Sequence, residues 1–109
     1  MLKARFIDVT YTHTEGMETC IIPSGTLFPP DTTLLEKRRM LEDGGDLAWV
    51  RTSLLDEPRG HMAMYGVFLC PSTSPEHDAG IIWSDGKVCH DMCGHGTIAL
   101  GMAMVSLGY

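Results

Sequence analysis

The segment TIALGMAMVSLG (97–108) is apolar on every side of a helical wheel. A helix of this kind is expected to be covered on all sides, because an all-round apolar surface has no face to give to water. Its length, its lack of clustered β-branched residues and the Gly108 stop favour helix over strand. Any fold for this chain must therefore put a sheet against several sides of one helix. The strands that precede it are few for that purpose. The expectation is an incomplete lobe, or one that depends on another chain, with poor stability or self-association (a homodimer included) when alone.

The rest of the chain reads as mixed α and β, with strands outnumbering helices. ARFIDV (4–9), ETCIIPSG (18–25) and MAMYGVFLC (62–70) have strand character. AGIIWS and KVCHD, flanking Asp85-Gly86, read as a hairpin with a type I′ turn. Thr33 and Glu36 form a capping box for a helix running to Gly44-Gly45. DLAWVRTSLL (46–55) is a second helix, with Asp46 as N-cap. EPRGH (57–61) is a turn and PSTSPEHD (71–78) a polar loop. Met62, Met64, Met102 and Met104 read as core filler. No repeat or linker divides the 109 residues, so they are read as one domain.

Composition narrows the function. A net charge of −6 argues against nucleic acid and against anionic membrane surfaces as partners. No run is apolar for long enough to span a bilayer, and MLKARFIDVT is too short and polar for a secretion signal. Cys20, Cys70, Cys89 and Cys93 are then expected to be reduced thiols in a cytoplasmic protein.

The chemistry concentrates in MCGHG (92–96), directly before the apolar run. The first turn of a helix presents unpaired N–H groups and the positive end of its dipole. A carboxylate can dock on the amides of Gly94, His95 and Gly96, where the glycines let a ligand come close. The same field favours thiolate over thiol, so Cys93 is expected to titrate below the free value of about 8.5. A thiolate beside a bound carboxylate could remove the proton from the adjacent carbon. The plainer readings are a simple helix cap at Cys93, and a zinc site from Cys89, His90, Cys93 and His95. C-x-x-C spacing is absent, which counts against zinc and against a thioredoxin-like pair. His13 and His61 are read as hydrogen-bonded loop histidines, and Arg59 as structural.

HTEG (13–16), CIIPSG (20–25), EKRRMLE (36–42), DEPRGHMAMYGVFL (56–69) and MCGHGTI (92–98) together resemble the amino-terminal part of the proline racemase family. The family includes proline racemases, hydroxyproline 2-epimerases and trans-3-hydroxyproline dehydratases. The resemblance implies a diaminopimelate-epimerase-like α+β fold of two pseudo-symmetric lobes, each a mixed sheet wrapped around a central helix. Residues 1–109 would be the amino-terminal lobe, truncated. It implies proline or hydroxyproline as the small-molecule substrate, and no need for pyridoxal phosphate or metal. It places the first catalytic cysteine at Cys93 and the carboxylate-binding backbone at Gly94 and His95. A second thiol, or a threonine in the dehydratases, would come from the other lobe. Cys20 and Tyr11 depart from the pattern, standing where many members carry Arg and Asp. Cys20 and Cys70 are read as packed strand thiols, and Cys89 as too close in the chain to Cys93 to serve the opposite face of a substrate.

Overall fold

A computed structural model describes residues 6–24 and 27–108. Five strands make one mixed sheet in the order β1-β2-β3-β4-β5: Thr10–Thr14, Met17–Pro23, Tyr65–Cys70, Gly80–Ser84 and Cys89–His90. β2 and β3 run parallel, joined through helices α1 (Leu34–Leu41) and α2 (Ala48–Leu55); the other neighbours are antiparallel. Helix α3 spans Gly94–Leu107 and ends at Gly108 in the left-handed conformation. The α+β class and the mixed sheet are as the sequence indicates.

The sheet separates two apolar layers. Cys20, Ile22, Phe68, Cys70, Ile82 and Cys89 face α1 and α2. Ile21 and Val67 face α3, with Leu69, Ile81 and Trp83 alongside. Strand side chains alternate between faces, so the unbroken buried run Thr19–Ile22 in β2 is that of a strand covered on both sides.

α3 has only part of the cover that its all-round apolar surface calls for, as the shortage of strands before it suggests. Gly96, Ala99, Leu100 and Ala103 are buried against the sheet, whereas Ile98, Met102 and Val105 are 58%, 62% and 85% exposed. Among the described residues the sheet covers one side of this helix and does not surround it. Small residues at helical spacing form the covered stripe because they let the helix axis come close to Ile21 and Val67. Met102 is thus not core filler. Neither is Met62, at 96% exposed, while Met64 is buried.

Other boundaries shift for local reasons. Residues 6–9 are not strand, and the earlier part of ARFIDV lies outside the described residues. β1 begins at Thr10 because its register is set by the hairpin with β2, which pairs Thr14 with Met17. Glu15 and Gly16 in that hairpin both have positive φ, 51° and 87°, as a two-residue type I′ loop requires. Asp85-Gly86 has no such φ values. The β4–β5 loop is instead organised by the Asp85 side chain, whose Oδ1 accepts from the Lys87 and Val88 amides at 2.7 and 2.8 Å. β3 begins at Tyr65 because the amides of Ala63 and Met64 turn back onto His61.

The Thr33 cap stands as expected, its hydroxyl accepting from the Glu36 amide at 3.1 Å. Asp46 does not cap α2; the N-cap is Leu47, whose amide donates to the Met40 carbonyl at 2.9 Å and fastens α2 to the end of α1.

Arg51 is the polar link in this layer. It is 1% exposed. Its guanidinium donates to the Leu41 carbonyl (2.8 Å), to the Gly86 carbonyl (2.9 Å) and to Asp43. It thereby satisfies the last turn of α1 and ties the hairpin loop to both helices. Removing it strands two carbonyls in a buried setting, at about 1–3 kcal/mol each. Arg51→Met is therefore expected to lower stability by roughly 2–5 kcal/mol, read as a lower urea midpoint with little change in slope.

Candidate active site

β5 ends at His90 and the chain enters α3 at Gly94, after three intervening residues. The stretch between is held by Arg38 of α1, which donates to the Cys89 carbonyl (3.1 Å) and to Asp91 (2.7 Å). That guanidinium holds the Asp91 carboxyl below its usual range.

Cys93 is the N-cap of α3, in extended backbone (φ −142°, ψ 116°). Its carbonyl starts the helix, accepting from the Thr97 amide at 3.0 Å and the Thr97 hydroxyl at 2.8 Å. Its side chain makes no capping hydrogen bond, so the plain-cap reading accounts for the backbone but not for the thiol. The sulfur lies 3.5 Å from His95 Nδ1 and 3.9 Å from Nε2. Thr97 supplies the first amide of the helical ladder, and those of Gly94, His95 and Gly96 precede it, as in any first turn.

The two glycines differ in use. Gly94 is exposed, and open space lies where its Cβ would be. Gly96 is buried, and a Cβ there would meet Val67 at 3.1 Å, the Cys93 sulfur at 3.4 Å and Trp83 at 3.5 Å. Its smallness serves helix-to-sheet packing, where the sequence suggested ligand approach.

The structure adds groups that the sequence reading missed. Trp83 Nε1 donates to Thr97 Oγ1 at 3.2 Å, and Thr14 Oγ1 donates to the His95 carbonyl at 3.4 Å. The Tyr65 ring stands perpendicular to the His95 ring, centroids 4.9 Å apart, and also meets His90 at 5.5 Å. His90 Nε2 lies 2.9 Å from Asp85 Oδ2. Burial pushes the Asp85 carboxyl up, but the Val88 and Lys87 amides and His90 outweigh it and hold it below the usual range. Strand alternation could have placed Tyr65 and Trp83 on one face with Val67; nothing local marks their contacts with α3.

The other candidates disperse. Cys89 is buried on the α1/α2 side of the sheet, away from Cys93. Among the described residues no three His, Cys, Asp or Glu side chains are placed to hold a metal ion, so the four zinc candidates do not form a site. His13 lies in β1, not in a loop, and its Nδ1 accepts from the Gly16 amide at 3.4 Å. His61 pairs with Glu18 at 3.3 Å. Cys20, Cys70, Cys89 and Cys93 are all free. Tyr11 and Cys20 are cross-strand partners, their Cα atoms paired in the β1–β2 ladder. Cys20 faces the α1/α2 layer, so this pair lies on the sheet face opposite Cys93. No helix among the described residues is long and apolar enough to cross a membrane.

Comparison with known proteins gives a consistent picture. The family profile described as "Proline racemase" matches residues 9–109. A 4-hydroxyproline 2-epimerase of Cereibacter sphaeroides (strain ATCC 17029 / ATH 2.4.9) is 55% identical over 101 residues, covering 93% of this chain and 29% of that protein. A trans-3-hydroxy-L-proline dehydratase of Azospirillum brasilense is 38% identical over 109 residues, covering all of this chain and 32% of that protein. The crystal structure of a hydroxyproline epimerase from Agrobacterium vitis, with bound trans-4-hydroxy-L-proline, superposes with a TM-score of 0.80 at 22% identity. It covers 94% of this chain and 30% of that one. The chain thus spans about 30% of the length of these relatives.

The buried thiols make stability depend on alkaline pH. Burial pushes Cys20 from 9.0 up to about 12, and raises Cys70 and Cys89 as well. A thiol with a raised folded-state pKa keeps its proton in the fold at pH values where the unfolded chain has lost it. Its stabilisation is complete below the unfolded value of about 8.5 and is lost as pH rises through the folded one. The urea midpoint is expected to fall steadily above about pH 9, and to fall less steeply in Cys20→Ala.

Proposed function

Because the chain belongs to the proline racemase family, we propose that it supplies the Cys93 half of a cofactor-independent amino-acid racemase or epimerase acting on proline or hydroxyproline. The observation that carries the reading is the Cys93 side chain. It sits at a helix N-terminus without capping it, with a histidine nitrogen 3.5 Å from its sulfur.

In this reading the substrate carboxylate docks on the amides of Gly94, His95 and Gly96, where the helix dipole favours an anion. Cys93, as the thiolate, takes the α-proton. The Cα–H bond breaks, the proton goes to sulfur, and the electron pair delocalises towards the carboxylate, where the fixed amides stabilise the growing charge. His95 keeps the sulfur hydrogen-bonded during the transfer. Inversion also needs a donor on the far face of the carbon. We assign that donor to a second lobe that faces the Cys93 side of the substrate across the site. Neither pyridoxal phosphate nor metal takes part, and the reaction belongs in the cytoplasm.

Epimerisation is preferred to dehydration because the epimerase relative is 55% identical and the dehydratase relative 38%. Dehydration of trans-3-hydroxy-L-proline would begin with the same proton removal, then expel the 3-hydroxyl instead of returning a proton.

The test is α-deuterium exchange in D2O by the full-length protein, with L-proline and the 3- and 4-hydroxyprolines as substrates. Exchange is expected with at least one, falling at least about a hundredfold in Cys93→Ser. No exchange with any of them, or exchange undiminished in Cys93→Ser, overturns the proposal. Loss of water from the 3-hydroxy substrate without inversion selects the dehydratase.

A further inference from the structure

We propose that Tyr65 is a positioning residue, fixing the His95 imidazole against the Cys93 sulfur. The inference rests on the reading of Cys93 as the reacting thiol. It concerns a residue that does not itself touch that thiol.

His95 needs an external hold. It lies in the first turn of α3 and is only partly buried, so its ring has room for other rotamers. Thr14 pins its carbonyl but leaves the side-chain torsions free. The perpendicular contact with Tyr65, at 4.9 Å and 89°, is the ring-to-ring contact His95 makes. Such edge contacts are favourable beyond simple burial. Keeping this rotamer keeps Nδ1 3.5 Å from the sulfur.

Tyr65 is itself held. It is the first residue of β3, paired in parallel with Thr19 of β2. Alternation puts it on the α3 face with Val67. On another side its ring meets His90 at 5.5 Å and 41°. His90 is anchored 2.9 Å from Asp85, which also organises the β4–β5 loop. A chain of contacts thus runs from the hairpin loop through His90 and Tyr65 to His95 and the thiol. The titratable groups along it are Asp85, His90, Tyr65, His95 and Cys93, and the first turn of α3 carries no acidic residue.

The experiment follows alkylation of Cys93 by iodoacetamide, site by site by mass spectrometry, over about pH 5 to 9. It compares the unsubstituted full-length protein with Tyr65→Phe, Tyr65→Met, His95→Gln and the Tyr65→Met/His95→Gln double variant. Alkylation reads the thiol without turnover, so its outcome is separable from that of the deuterium exchange. Tyr65→Met and His95→Gln are expected to shift the pH profile in the same direction, Tyr65→Met by about two- to tenfold in rate near neutrality. Tyr65→Phe should keep the unsubstituted profile. The double variant should match His95→Gln alone, because two residues acting through one contact are not additive. A Tyr65→Met profile equal to the unsubstituted one, a Tyr65→Phe that fails to restore it, or additive effects overturn the proposal. If Tyr65→Met loosens the fold, seen as alkylation of buried Cys20, Cys70 and Cys89, nuclear magnetic resonance decides. The His95 ring protons should show a ring-current displacement in the unsubstituted and Tyr65→Phe proteins, and its absence overturns the proposal.

Discussion

The close approach of α3 to the middle of the sheet is the contact on which the site depends. Gly96, Ala99 and Ala103 lie along the helix face that meets Ile21 and Val67. A larger side chain at Gly96 would press on Val67, Trp83 and the Cys93 sulfur together. The distance between helix and sheet therefore also sets where the thiol stands. Hydrophobic contact is non-directional, and it gains direction here from the small residues that leave one low-profile stripe. Polar links then fix the rotation of the helix: Trp83 to Thr97, Thr14 to the His95 carbonyl, and the Cys93 carbonyl to Thr97.

Much of this was legible in the residues. Thr33-x-x-Glu36 announced the capped start of α1, Gly108 the end of α3, and MCGHG the junction where backbone amides and a thiol meet. Each of these is a local signal whose physics acts within a few residues. What could not be read was long-range. An apolar wheel and a shortage of strands say that a helix lacks cover, not which side stays open, so the exposure of Ile98, Met102 and Val105 in particular could not be read. The pair Asp85-Gly86 resembles a type I′ turn until the Asp85 carboxylate takes the Lys87 and Val88 amides. The Tyr65–His95 contact joins residues 30 positions apart through tertiary packing alone.

The sheet also divides the cysteines, all four of them buried, between its two faces. Cys20, Cys70 and Cys89 line the layer under α1 and α2, where burial favours the protonated thiol. Cys93 lies at the other face, at a helix terminus and beside an imidazole. The cross-strand pair Tyr11 and Cys20 belongs to the first group. A change in that pair alters how β1 is held to β2 without entering the surroundings of Cys93.

The β4–β5 loop makes one carboxylate serve several masters. Asp85 receives the Lys87 and Val88 amides through one oxygen and His90 through the other, while Arg51 holds the neighbouring Gly86 carbonyl. Loop length is thereby locked to side-chain chemistry. A lineage could lengthen the polar stretch 71–78 with little effect on these contacts, but one extra residue at 85–88 would detach His90 and Arg51 at once. Insertions and deletions should accordingly accumulate in the first loop and be rare in the second.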